Sequence, residues 1–205
     1  FHELEPAIKP MSASNKVVLS VGPLVGTLVP GADRLSVDFK NPQTGGVGSA
    51  NVGGHFAPEL KFAGFDSIVI EGQATEPVFI SINDDEVKIM EASHIWGNNT
   101  WETEDILRDS MGDKHLRVAS IGPAGENLIS GACLVVDRNR SAGRGGSGAV
   151  LGAKKLKAIA PVLFQKLIEN RLPKLFPASE VVQVIEEFKL GIKIITEKEF
   201  KKLIE

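Results

Sequence analysis

The chain has 205 residues, of which 42% are hydrophobic and 24% charged, and its formal net charge is −3. That length accommodates one domain of about 150 residues with an appendage, and that composition is ordinary for a globular protein. The acidic balance argues against a general nucleic-acid binder, the single Cys133 excludes an internal disulfide framework, and no apolar run reaches the roughly 18 residues that would suggest a membrane span.

No basic, apolar leader argues for export, so the expected location is the cytoplasm. The opening at Phe1 reads like a helix already under way, which predicts a piece of a longer protein. In chain order, Val17 to Gly22, Leu35 to Phe39, Ser67 to Glu71, Val78 to Ile82 and Val87 to Glu91 are short β-branched stretches bounded by Gly, Pro, Asn and Asp, and read as strands. A helix is predicted between Pro58 and Gly64, and a hairpin turn at Asn83, Asp84 and Asp85. A second helix starts at Asn99, with Glu102 three residues on, and runs to Gly112 carrying Trp101, Ile106 and Leu107 inward. Strands resume at Leu116 to Ile121, Leu128 to Val136 and Leu156 to Ala160. Without strict β-α-β alternation, the fold class expected is α+β with mostly antiparallel or mixed sheets.

After Pro161 glycine almost disappears. The segment 161–205 reads as a small α/β tail, with a helix over Ser179 to Lys189, a strand at Ile192 to Ile195, and a helix from Thr196 capped through Glu199.

The sequence repeats itself about one hundred residues apart. VLSVGPLVGTLVPGA (Val18 to Ala32) returns as VASIGPAGENLISGA (Val118 to Ala132), keeping Ser20, Gly22, Pro23, Leu28, Gly31 and Ala32 as Ser120, Gly122, Pro123, Leu128, Gly131 and Ala132. Each copy runs into a glycine-rich stretch, TGGVGSANVGG and RNRSAGRGGSG, then a helix-like segment and a strand. A pseudo-two-fold domain presenting two equivalent loops to one large anionic ligand is the implied architecture.

Such loops let backbone amides approach phosphate oxygens, and arginine adds a bidentate fork. Between Asp137 and Lys157 stand six cations, Arg138, Arg140, Arg144, Lys154, Lys155 and Lys157, against one anion. The alternative is that the glycines only make tight turns and bulges between strands. The lysines are expected on a solvated helix end, Trp101 and Cys133 in the core, and SHIWG as a packed turn ordering the next helix. The four histidines show no metal-ligand spacing, so no metal site built from side chains is expected.

Several segments carry a resemblance: GPLVGTLVPGADRLSV, SANVGGHFAPELKFAGFDSIVIEG, EASHIWGNNTWETE and ASIGPAGENLISGACLVVDRNRSAGRGGSGAVLGAKKLKAIA. From about Glu5 to Ala160 the chain resembles the N-terminal domain of the aldehyde ferredoxin oxidoreductase family, tungsten- or molybdenum-containing enzymes with a bis-pterin (molybdopterin) cofactor. The resemblance implies that residues 1–160 form the base on which the cofactor sits, with a magnesium ion bridging two pterin phosphates. Asn51 and Ser141 fall at the positions whose backbone carbonyls hold that magnesium. Arg34, Gly53 and Arg140 fall where the family contacts the phosphates, with Gly54, Ala142, Gly143 and Arg144 continuing the two loops. Ser141 replaces a commoner alanine, which should matter little if only its carbonyl is used.

The family's [4Fe-4S] ligands, CxxCxxxC plus a distant cysteine, have no counterpart here, nor does its catalytic acid–histidine pair. No catalytic residue is therefore expected in this chain. The resemblance implies a holoenzyme that oxidises aldehydes to carboxylates and passes electrons to ferredoxin, while these residues alone are expected to be inactive. They would need the remaining domains or a separate subunit, and exposed docking surface would favour association, including a homodimer. Other readings are a non-catalytic module binding a phosphorylated ligand, or a folded remnant that binds nothing.

Overall fold

Strand formation follows the side-chain alternation closely in the first half. β1 (Val17–Val21) and β2 (Leu35–Lys40) bury every second residue, Val17, Leu19 and Val21 on one and Leu35, Val37 and Phe39 on the other. This is the period of a sheet with one face on a core. In the computed structural model, residues 7–83, 86–162 and 192–195 are described. The expected tail helices over Ser179 to Lys189 and from Thr196 fall outside them, as do Asp84 and Asp85.

β3 (Val47–Val52), β4 (Ser67–Gly72) and β11 (Ile192–Ile195) complete the first sheet, in the order β11-β4-β1-β2-β3, with every pair antiparallel. The second sheet contains β5 (Val78–Asn83), β6 (Glu86–Glu91), β7 (Ala119–Ser120), β8 (Leu134–Val136), β9 (Arg140–Ala142) and β10 (Leu156–Val162). Its order is β6-β5-β10-β7-β8-β9, and only β5 and β10 pair in parallel. The fold is therefore α+β, as the sequence pattern implies. Asn83 pairs with Glu86, which fits a tight β5–β6 hairpin.

The repeat is a repeat of topology. Leaving out the flanking strands, the first sheet reads β4-β1-β2-β3 and the second β10-β7-β8-β9. Helix α1 (Phe56–Phe62) lies between β3 and β4, and α4 (Ser147–Ala153) lies between β9 and β10. Ser20 is opposite Ser36 and Ser36 opposite Asn51; Ser120 is opposite Val135 and Val135 opposite Ser141. Asn51 and Ser141 thus occupy the same place in the two sheets, although the hairpin Leu35–Val52 is much longer than Leu134–Ala142.

The helices hold the sheets together. α4 is buried along its whole length and touches β1, β2 and β10, while α1 touches β1 and β10. One core cluster accordingly draws residues from both sheets. The second sheet's other face packs beneath α2 (Thr100–Met111), where Leu107 and Ile95 meet Phe79, Ala158 and Ala160. α2 starts where the sequence signal puts it: the Asn99 side chain accepts from the Trp101 and Glu102 amides, Glu102 returns a bond to Asn99 N–H, and Gly112 closes the helix at φ 67°.

Several expectations shift. The first helix is Phe56–Phe62, two residues earlier than predicted, with Gly64 at φ 96° just past its end. The glycine-rich stretches are not wholly loops, because β3 and β9 run through them. Leu128 to Val136 shrinks to β8, since Leu128 sits at φ 58° in an exposed turn that follows α3 (Pro123–Glu126), a helix the sequence pattern does not announce. Leu116 to Ile121 shrinks to β7.

Trp101 is 55% exposed because it lies on the outward side of α2, and Cys133 is half-buried. Lys154 and Lys157 are not solvated but fully buried. Lys154 Nζ donates to Gly72 O at 2.8 Å and Ala13 O at 3.0 Å, joining the end of α4 to the first half. Lys157 Nζ donates to Asn98 O at 2.7 Å, Ile121 O at 2.9 Å and the Glu126 carboxylate. Glu126 also accepts the Gly97 amide at 2.9 Å. The SHIWG turn is thus tied to α3 and β10, which is the packed, ordering turn expected.

Candidate cofactor-phosphate site

β3 and β9 are the outermost strands of their sheets, and the two sheets approach each other along them. An edge strand presents backbone amides and carbonyls that no neighbouring strand takes up. Asn51 and Ser141 lie exposed on these two edges, at equivalent register positions.

The glycines beside them divide into two kinds. Gly143 is exposed, and a side chain there would meet open space, so nothing in the fold requires a glycine. Gly146, Gly148 and Gly152 are packing residues. A Cβ on Gly148 would stand 2.6 Å from Cys133 O, one on Gly146 would overlap Ser130 O, and one on Gly152 would overlap Gly125 O. Of these only Gly146, at φ 84°, is a turn glycine, while Gly148 and Gly152 lie within α4 and let it pack against α3 and the 130–133 turn.

On the first side, Gly53 and Gly54 are buried beside two acids. The Gly54 amide donates to Asp33 Oδ2 at 3.1 Å, and a Cβ on Gly53 would stand 3.0 Å from that same oxygen. Asp137, from the second half, accepts the amides of His55 and, at 3.3 Å, Phe56. The start of α1 is therefore capped by a protein carboxylate, which corrects the expectation of two equivalent amide loops. α4 has no acid in its first turn, and neutral Asn41 and Pro42 approach Gly145 and Gly146 instead.

The basic patch sorts by partner. Arg138 pairs with Glu104 and Asp105, and Arg108 with Glu104. Lys157 pairs with Glu126, and Lys155 Nζ donates to Thr75 O. Arg34, Arg140 and Arg144 are exposed, and their side chains form no ion pair or hydrogen bond among the described residues. Arg140 runs along Gly54, its Cδ 3.0 Å from where a Cβ there would sit, which brings the second loop onto the first. Arg34 and Arg140 are the arginines the resemblance placed at phosphates, and Arg144 continues the second loop.

Residues 1–161 match the family described as aldehyde ferredoxin oxidoreductase, N-terminal domain. The chain belongs to the aldehyde ferredoxin oxidoreductase family. It is 51% identical over 158 residues to the tungsten-containing aldehyde ferredoxin oxidoreductase of Pyrococcus furiosus, covering 77% of this chain and 26% of that one. The protein of the same name from Thermococcus kodakarensis matches at 51% over 158 residues, with the same 77% and 26% coverage. An aliphatic sulfonate oxidoreductase, WOR-like subunit, of P. furiosus is 32% identical over 164 residues, covering 74% of this chain and 26% of its own.

Among solved structures, the active-site complex BamBC of benzoyl coenzyme A reductase with 1,5-dienoyl-CoA superposes with a TM-score of 0.76. It shares 39% identity over 78% of this chain and 24% of that one. The chain spans about a quarter of the length of the curated relatives it matches. Among the described residues of this family member, no helix is long and apolar enough to cross a membrane.

Sequence reasoning missed Asp33, Asp137 and the pairing of Arg138 with α2. A signal was present: an Asp-Arg dipeptide stands in each half, at Asp33-Arg34 and Asp137-Arg138. In each, the acid binds backbone amides around Gly54, while the neighbouring arginine differs in fate.

Proposed function

We propose that residues 1–160 of this family member seat the phosphates of a tungsten- or molybdenum-bis-pterin cofactor, with 161–205 as an appended tail. The observation that carries the reading is the set of three exposed arginines, Arg34, Arg140 and Arg144, without partners among the described residues and set around two edge strands. A guanidinium left without a carboxylate is suited to an incoming oxyanion, which it grips as a fork. Asn51 and Ser141 offer carbonyl oxygens from equivalent edge positions, the hard donors magnesium prefers between phosphates. Gly143 leaves the second loop without bulk beside buried Ala142, while Gly53 and Gly54 let Asp33, Asp137 and Arg140 pack close against the first.

When bound, the metal-pterin group supplies the redox chemistry. This chain's own residues bind and orient it: arginines neutralise phosphate charge, β3 and β9 set the spacing of the two carbonyls, and the buried helix layer keeps the two sheets from shifting. In the longer protein the proposed reaction is oxidation of an aldehyde to a carboxylate, with water supplying oxygen and ferredoxin taking two electrons in single-electron steps. The chain by itself is proposed to be inactive, requiring further domains or a second chain that carry iron–sulfur ligands.

Calorimetric titration of the chain with pyrophosphate, with and without magnesium, tests the seat. Magnesium-dependent binding is expected, weakened at least about tenfold when Arg34, Arg140 and Arg144 are replaced together by Ala. Equal binding by parent and triple variant would overturn the reading.

A further inference from the structure

The β8–β9 turn is the most constrained piece of backbone in the domain. Asp137 and Arg138 are consecutive non-glycine residues at φ 48° and 66°, a left-handed conformation that L side chains resist. Such backbone persists when surrounding contacts over-determine it, and it concentrates at functional sites. Here the contacts come from two directions.

From one side, Asp137 grips the start of α1 through the His55 and Phe56 amides, and its own amide donates to Val118 O at 3.2 Å. From the other, α2 holds Arg138 at three points. Trp101 Nε1 donates to the Arg138 carbonyl at 2.9 Å. The guanidinium donates to Glu104 Oε1 at 3.3 Å and to Asp105. It also sits 5.7 Å from the centre of the Trp101 ring, within cation–π range. Glu104 is almost fully buried and is anchored by Arg108 from the same helix, so the clamp is built on a rigid element.

Among the described residues, no helix clamps the corresponding β2–β3 turn in this way. It is closed locally by Asn41, whose Oδ1 accepts the Gln43 amide at 2.7 Å and whose N–H donates to Gly46 O. Arg140 stands two residues beyond the clamped Arg138, and Ser141 comes next.

We infer that Arg138, gripped by Trp101 and Glu104, is a positioning residue that fixes the β8–β9 turn so that Arg140 faces a bound phosphate and the Ser141 carbonyl faces the magnesium. Arg138 itself touches no ligand, since its guanidinium is committed to α2. This rests on the phosphate-seat reading above, and the test separates the two. α2 thereby contributes to ligand affinity from outside the loops, through a carbonyl and a guanidinium.

The test measures magnesium-pyrophosphate affinity of the full chain by calorimetry, with thermal midpoints recorded in parallel. Arg138→Gly removes the guanidinium contacts to α2, leaves the main-chain carbonyl that Trp101 holds, and suits the left-handed backbone, while Trp101→Phe removes the indole N–H together with part of the ring face. Both are expected to weaken binding, by about tenfold and about threefold respectively, with the thermal midpoints showing each variant folded at the temperature of the titration. Arg138→Lys, which keeps a cation near Glu104, should recover part of the loss. In a Trp96→Phe background, saturating ligand is expected to change Trp101 emission, a response absent when Arg140→Ala is added. If Arg140→Ala weakens binding while Arg138→Gly and Trp101→Phe bind like the parent, the positioning role is overturned. If Arg140→Ala has no effect either, the seat itself is wrong.

Discussion

The two halves share one strand order and one register, yet their chemistry diverges at nearly every matched position around the loops. Helix α1 carries Phe56, Lys61 and Phe62, whereas α4 offers Ser147, Gly152 and Ala153 in the matching places. Small residues on α4 admit α3 at close range; bulk on α1 fills that space itself. The start of α1 is closed by Asp137, whereas Asn41 and Pro42 stand against that of α4. A duplicated backbone therefore need not duplicate a binding surface. Symmetry places the elements, and individual side chains decide which face takes charge.

Substitutions at matched positions break this comparison most sharply. Gly152→Ala drives a methyl into the Gly125 carbonyl and should cost about 3 kcal/mol, read by urea unfolding. The matched change Lys61→Ala, on a half-exposed residue paired with Asp66, should cost less than about 1 kcal/mol. Comparable losses at both would show that α1 is as tightly enclosed as α4.

The ends of the two helices differ as well: α1 stops at Ala63 and α4 at Lys154. Burial pushes Lys154 down from 10.5 to about 8, with the Glu71 charge opposing. Between those values the unfolded chain holds a proton that the folded chain has released, so stability should rise with pH through that window. Lys154→Met should flatten the rise by about 2 kcal/mol between about pH 7 and about pH 9.5 in paired unfolding titrations. A slope unchanged by the substitution would assign the pH response elsewhere.

The caps give a smaller contrast. Asp137→Ala strips the carboxylate from α1 and should cost about 1 to 2 kcal/mol, while Asp137→Asn, which keeps an acceptor, should recover most of it. Asn41→Ala, which loosens only its own turn, should cost about 1 kcal/mol. Both are read by the same urea unfolding.

How far the sequence speaks depends on where the deciding contacts lie. β1, β2 and α2 are legible because alternation, an Asn99 cap, Glu102 and a terminal Gly112 are local signals. The three exposed arginines are legible through motif resemblance. The fate of Lys154 and Lys157 is not, because their carbonyl partners at Gly72, Ala13, Asn98 and Ile121 are distant in sequence. Trp101 reads as core because a large indole on a helix usually is; its position opposite Arg138 is set by a turn 37 residues away. Short strands such as β7 are over-read because buried apolar residues continue on either side without ladder partners.

The helix layer has a consequence for how such a chain is inherited and made. Since α1 and α4 each contact both sheets, neither copy of the repeat can be removed, or synthesised first and left waiting, without baring a face that the other was to cover. Each copy acts as scaffold for its twin. The expected melt of this domain is one transition rather than two.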